Sequence, residues 1–415
     1  MSAVTLQLTA RDPIVARDGR PFGAGQGNRM RGLGWPLPSV VAGSLRTALV
    51  KANAALDFAS DMPQQLMEIA VAGVFPTAKA ENGVELYLPA PNDCIWDEKT
   101  NRVHRAQPIP LEQGEGVDFP DGASRLAPVR LTTKQAEADF KPKLAPAWWP
   151  LTKYEKWLKA APDERSGDWF EQDFLNAAIP ETRDHVRLDA GRGAAAEGEL
   201  FTTVGLNLAH LPRFRNRPTQ TKLTFDQRFA EIGLSARVTW ESPRFAPLEH
   251  LNTWHPLGGE RRLVHWQRTD ANKLWERPVA VRDALAKATH IRMVLATPAI
   301  FSEGWKPGWL NGQLEGSPPG ANVKLKLVGI SNARWKAVSG WSLAPPRGPK
   351  PIRRMVPAGS VYFFSCTLGD AAELADCCWL QSVSDEEPEP TQRTFASARA
   401  DGFGLAVWGT WKPHE

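Results

Sequence analysis

Apolar and polar residues alternate at the start of the chain. Val4, Leu6 and Leu8 stand between polar neighbours, which predicts a half-buried strand. After a glycine- and arginine-rich stretch, Pro38 and Ser39 read as a helix start with Ser39 as N-cap. Val40, Val41, Leu45, Ala48, Leu49 and Ala52 form that helix's apolar face. A second helix is expected over Gln64 to Ala70 and a short strand over Val84 to Leu88. Glu81 to Pro150 is rich in proline and reads as long insertions, not as a core element. Thr152 to Ala160 and Asp168 to Ala178 are helix candidates. His185 to Leu188 and Leu200 to Leu208 read as one hairpin with a long small-residue tip. The pattern restarts near Arg228. Strands are expected at Ile232 to Trp240, His290 to Ala296, Val323 to Ile330 and Ser360 to Cys366, with a helix at Arg277 to Thr289. A βαβ-type arrangement therefore occurs in each half, within an α+β chain of two domains.

Charge sharpens this picture only locally. The net charge is +4, too small to demand a nucleic-acid partner. Its distribution is uneven. Arg11 to Arg46 holds six arginines (Arg11, Arg17, Arg20, Arg29, Arg31, Arg46) against Asp12 and Asp18, so most lack a local acidic partner. Seven glycines separate them, and the stretch runs into a helix start. Bare peptide N–H groups, a positive helix end and planar guanidinium forks together suit phosphate. Arg17, Arg20, Arg29 and Arg46, with the backbone at Gly23, Gly25 and Gly27, are the candidate contacts. Gly340 to Gly369 carries Arg347, Lys350, Arg353 and Arg354 and no acid, and Ser384 to Pro390 reads as a solvated acidic loop. The four cysteines show no metal or disulfide spacing and read as reduced thiols of a cytoplasmic protein. No stretch approaches a membrane span, and no metal or cofactor constellation stands out. Seventeen tryptophans read as core and interface anchors, with base stacking the rarer use.

These residues resemble a known family. DPIVARDGRPF (Asp12 to Phe22), WPLPSVVAGSLRTAL (Trp35 to Leu49), HVRLDAGRGAAAEGELF (His185 to Phe201) and PLGGERRLVHW (Pro256 to Trp266) follow one another in its order. ATPAIFSEGWKP (Ala296 to Pro307), Gly340 to Phe364 and GFGLAVWGTW (Gly402 to Trp411) continue it. The chain is similar to the RAMP-superfamily subunit of type III-B CRISPR (Cmr) effector complexes that caps the 5′ handle of the guide RNA (crRNA). The resemblance implies a RAMP fold of two ferredoxin-like (RRM-like) domains with long insertions. Residues 1–228, with insertions at about 81–150 and a hairpin thumb at about 183–208, would form the first. Residues 229–415, ending in a glycine-rich loop, would form the second. It implies binding of the crRNA 5′ handle, and docking of the large polymerase-like subunit to the backbone RAMP subunits. It implies no nuclease site, no cofactor and no membrane.

On that resemblance the RNA-binding set also takes in Ser44, His185, Arg187, Arg192, Arg261, Arg262, Gly402 and Gly404. Each has a plainer reading. His185 is expected as a structural hydrogen-bonder; as general base it would make the chain a RAMP-type endoribonuclease processing precursor crRNA, the alternative function. Gly258 to Arg262 is either a tight turn with a Glu260–arginine pair or an RNA or subunit contact. Arg213, Arg215 and Arg217 are either a basic stripe on one strand face or a solvated edge. Gly402 and Gly404 either close a β-turn or admit RNA phosphates. A scaffold with no RNA contact is a third reading.

Overall fold

The computed structural model describes residues 2–18, 30–58, 61–80, 83–100, 102–119, 126–131, 140–159, 164–165, 169–170, 173–215, 222–342, 347–386 and 396–413. The fold is mixed α/β and its named strand pairs are antiparallel. The alternating N-terminus forms strand β1 (Ser2–Ala10) near the middle of an eight-stranded sheet. In spatial order this sheet runs Asn252–Pro256, Leu263–Thr269, β1, Phe229–Trp240, Ala70–Ala80, Gly83–Pro89 and Trp148–Pro150. His210–Pro212 adds to Phe229–Trp240. A second, six-stranded sheet runs Glu315–Gly316, Lys324–Ser331, Val361–Leu368, His290–Leu295, Leu405–Thr410 and Gln381–Ser382.

Both sheets contain a split β–α–β unit. Ser2–Ala10 and Ala70–Ala80 flank Phe229–Trp240 and both pair with it antiparallel, so they run parallel to each other. Helix α1 (Pro38–Ala52) lies in the connection between them. In the second sheet Val361–Leu368 and Leu405–Thr410 flank His290–Leu295 in the same way, with helix Ala372–Cys377 between them in sequence. The expected division after residue 228 falls inside the first sheet, because Phe229–Trp240 and Leu263–Thr269 both pair with β1. The second sheet's own strands begin only at His290.

Helix α1 buries Val41, Ala42, Leu45, Ala48 and Leu49 against the first sheet. Large aliphatic side chains buried in this way each contribute about 1.5–3 kcal/mol. Ser39 is not its cap. Leu37 occupies that position with no side-chain cap, and Pro38 starts the helix with a preset φ. Three more expectations are corrected. The Gln64–Ala70 helix is shorter (Met62–Leu66), and Ala70 already belongs to the strand Ala70–Ala80. Residues 173–178 are not helical: Leu175 instead bridges Trp148 and Arg213 in extended pairing. Nor is the 81–150 region only decoration. Cys94–Asp97, Arg102–Arg105, Pro142–Lys143 and Glu164–Arg165 form a small sheet, and Trp96, Val103, Leu126 and Trp149 enter the same core as the second sheet.

The tryptophans explain how that region packs. Trp149 stands edge-on to Trp157, Phe170 and Phe174 at ring-centre distances of 5.3, 5.6 and 5.4 Å. Beside them Arg292 and Asp93, both with wholly buried side chains, form an ion pair across sequence. The Arg292 guanidinium also donates to the carbonyl of Trp157, whose indole N–H donates to Asp93 at 3.0 Å.

Candidate nucleic-acid interface

A second face of α1 borders an open space. Ser39, Val40, Gly43, Ser44 and Thr47 on it line an open cleft of about 800 Å³. Val15 to Asp18 form one wall, His255 to Gly259 contribute another, and Ser339 to Trp341 with Pro349 and Lys350 come from the basic segment of the second half. Four of the family-like blocks thus converge on one concavity.

The N-terminal wall is a short ladder. Asp18 N–H donates to Arg31 O at 3.3 Å, Leu33 N–H donates to Ala16 O at 2.9 Å, and Arg17 bridges Gly32. The two ends of the glycine/arginine loop therefore meet at the cleft wall. Arg20, Gly23, Gly25, Gly27 and Arg29 lie outside the described residues. Arg17 is exposed on the wall.

The second wall depends on a glycine turn. Gly258 has φ +74, and a Cβ there would meet Val15 O at 2.4 Å. Gly259 N–H donates to Val15 O at 2.8 Å, so the turn lies flat against the N-terminal segment. Glu260 and Arg261 follow with φ +58 and +49. Among the described residues Glu260 forms no ion pair with Arg261 or Arg262. Arg261 is exposed, Arg262 is half-buried, and both lie beyond the residues that line the cleft.

At the floor, Ser44 Oγ donates to Pro256 O at 2.8 Å. Beside it lies His255, which the sequence reading did not single out. It is buried and lines the cleft. Burial, aided by the charge of Lys51, pushes its imidazole down to about 4. Lys350, at the far rim, has its ammonium pKa lowered by burial, partly offset by Asp401 at 3.8 Å.

Three of the expected RNA contacts have partners within the chain. Arg46 points away from the cleft. Its guanidinium is buried, pairs with Asp401 at 2.5 Å, and donates to Ile69 O at 2.7 Å and Ala400 O at 3.2 Å. It joins α1 to the C-terminal glycine loop. Gly402, with φ +87, needs no RNA to explain it: a Cβ there would meet Val71 O at 2.2 Å. Gly404 packs equally closely on Ser384. Thr297 Oγ1 donates to Gly402 O at 2.8 Å, so the loop is the seam where the two sheets meet. The arginines at 213 and 215 also have partners within the chain. Arg213 and Arg215 both donate to backbone carbonyls of the 226–227 turn, and the strand ends at Pro212; Arg217 lies outside the described residues.

The thumb hairpin comprises Pro180–Asp189 and Ala194–Leu206, with a tip of only Ala190 to Gly193. It is set apart from the cleft-lining residues, although Met30 N–H donates to Thr202 O at 3.1 Å and ties its base to the glycine/arginine loop. His185 Nε2 meets Thr203 Oγ1 at 2.8 Å and its ring stacks on Phe201 at 5.1 Å. Arg187 pairs with Glu199 at 3.1 Å, and Arg192 sits exposed at a tip held by Asp189. Val186, Leu188 and Leu200 are exposed on the opposite face. Among the described residues no helix is long and apolar enough to cross a membrane, and no cluster of metal-ligating side chains occurs.

Comparison with solved structures gives distant likenesses. One is a chain of a type III-B Cmr-beta complex bound to cognate target RNA, at 12% identity and TM-score 0.43, covering 86% of each chain. Another is a chain of the Csm3-Csm4 subcomplex of a type III-A CRISPR-Cas interference complex. It stands at 9% identity and TM-score 0.34, covering 88% of this chain and 94% of the other. None of the curated proteins matches the sequence. The family comparison is decisive: residues 6–411 match the model of the CRISPR-associated protein family Cas_Cmr3, and the chain belongs to that family.

Proposed function

We propose that this chain is a non-catalytic RNA-clamping subunit of a type III-B CRISPR effector complex. It holds the repeat-derived 5′ handle of the crRNA and links the large polymerase-like subunit to the backbone RAMP subunits. Its two split β–α–β sheets are ferredoxin-like units of a RAMP fold. One observation carries this reading. The α1 cleft gathers Arg17, Lys350, the Gly258–Gly259 backbone and both ends of the glycine/arginine loop around a space of about 800 Å³. Cations at a rim with a polar floor suit a sugar–phosphate strand laid along the wall. Arg187, Arg192, Arg261 and Arg262 are then peripheral contacts, and His185 shapes the thumb without breaking bonds.

The test is a titration of labelled guide RNA at several salt concentrations. Arg17→Ala and Lys350→Ala each weaken binding and lower the log–log salt slope by about 0.7, the value for one lost phosphate contact on a single strand. Unchanged affinity and slope in both variants refutes the site.

A further inference from the structure

The floor of the cleft differs chemically from its rim. Arg17 is cationic and exposed on one wall, and Lys350, cationic on the other, faces the buried Asp401 at 3.8 Å, whereas Ser44 and His255 are buried and carry no charge near neutral pH. His255 is on strand Asn252–Pro256, on the side covered by α1, and is 7% exposed. Its backbone pairs with Val264 in the sheet, but among the described residues nothing hydrogen-bonds its ring. Ser44 is 8% exposed. It spends its hydroxyl proton on Pro256 O, which leaves its oxygen lone pairs open. The ring nitrogens are not among the fully enclosed unpartnered atoms, so the imidazole presents its polar edge to the open space of the cleft, where a ligand group can meet it.

The charged groups facing the ring define which group. Lys51 on α1 acts on it directly, and Arg17, Asp18 and Lys350 line the same cleft. In this setting the imidazole stays neutral and offers one donor and one acceptor. Phosphate offers acceptors only. A ribose 2′-hydroxyl or a base edge offers both. We infer that His255, with Ser44 Oγ beside it, is a specificity-determining contact that receives a neutral donor–acceptor group of a ribonucleotide whose phosphates lie at the Arg17–Lys350 rim. This inference rests on the RNA reading of the cleft.

The experiment uses the full chain and fluorescence anisotropy of labelled guide RNA carrying the repeat-derived 5′ end. His255→Leu weakens binding by about 5- to 10-fold, one lost hydrogen-bonded contact, while His255→Gln, which keeps a donor and an acceptor, stays within about threefold. RNAs with a single 2′-deoxy or a single abasic position are then scanned along the handle. One substitution costs the wild type the same factor and costs His255→Leu nothing further. A deoxy position identifies the sugar hydroxyl, and an abasic position identifies the base. Wild-type affinity is flat from pH 8 to 5.5. Wild-type binding by His255→Leu, additive losses at every position, or binding that tightens on acidification each overturns the inference. The last would reveal an imidazolium on phosphate, and it needs no variant to fold. If Arg17→Ala weakens binding and His255→Leu does not, only this inference falls. If neither does, the RNA reading falls with it.

Discussion

Replacing Arg46 by alanine separates a structural joint from an RNA contact. The guanidinium is buried and makes three bonds: to Asp401 and to the carbonyls of Ile69 and Ala400. Removing it leaves Asp401, 1% exposed, with Lys350 at 3.8 Å as a weak replacement. Breaking a buried pair from one side costs about 3–5 kcal/mol, and the nearby ammonium moves the expectation to about 3 kcal/mol. The unfolding entropy of a chain this long is about 0.9 kcal/mol per kelvin, so Tm falls by about 3 °C if the chain melts as a unit. Scanning calorimetry measures the shift, and a second transition appears if the two sheets part first. Asp401→Ala added to Arg46→Ala restores part of the loss, because the wholly buried carboxylate is then gone, and only part, because Lys350 loses its counter-ion. RNA binding by the folded variant keeps its salt slope. An unchanged Tm together with a slope reduced by about 0.7 refutes this account and puts Arg46 on a phosphate.

Two further outcomes follow from the same geometry. Gly402→Ala destabilises the protein by about 2–4 kcal/mol, since φ is positive and the added carbon strikes Val71 O. Gly34→Ala, with nothing within 4 Å, changes the Tm little. The imidazole pKa of His255 is lower folded than unfolded, so the unfolded chain binds the extra proton between about pH 6.5 and 4. Stability is therefore lost as pH falls through that window. Between pH 7 and 5 this amounts to at most about 2 kcal/mol, so melting curves show the wild type losing more stability than His255→Gln over that range, and equal losses in the two proteins refute it.

The elements legible from pattern are those with one wet face. The alternation of Val4, Leu6 and Leu8 marks β1, the stripe from Val41 to Leu49 marks α1, and the hairpin and later strands fall where their apolar runs predict. Ala70–Ala80 escapes because residues 73–78 bear no such alternation: Val74 to Ala78 are buried on both sides of the sheet. Clustered prolines disguised the 81–150 region, whose core is aromatic rather than periodic. At the site, the sequence showed an excess of arginine but not which guanidiniums are already engaged. Arg46 meets its acid 355 positions away, a distance at which no local count of charges applies. His255 gave no motif at all, because its significance comes from lacking a partner after folding.

The buried pair of Arg292 and Asp93 has a consequence for how such chains can be shortened. The cation sits in a central strand of the second sheet and its counter-ion belongs to the proline-rich region, both at 0% side-chain exposure. Excising that region strands a guanidinium in a dry interior, at a cost no surface repair can offset. A trimmed version, whether made in the laboratory or reached by natural deletion, has to exchange Arg292 for a neutral residue in the same step.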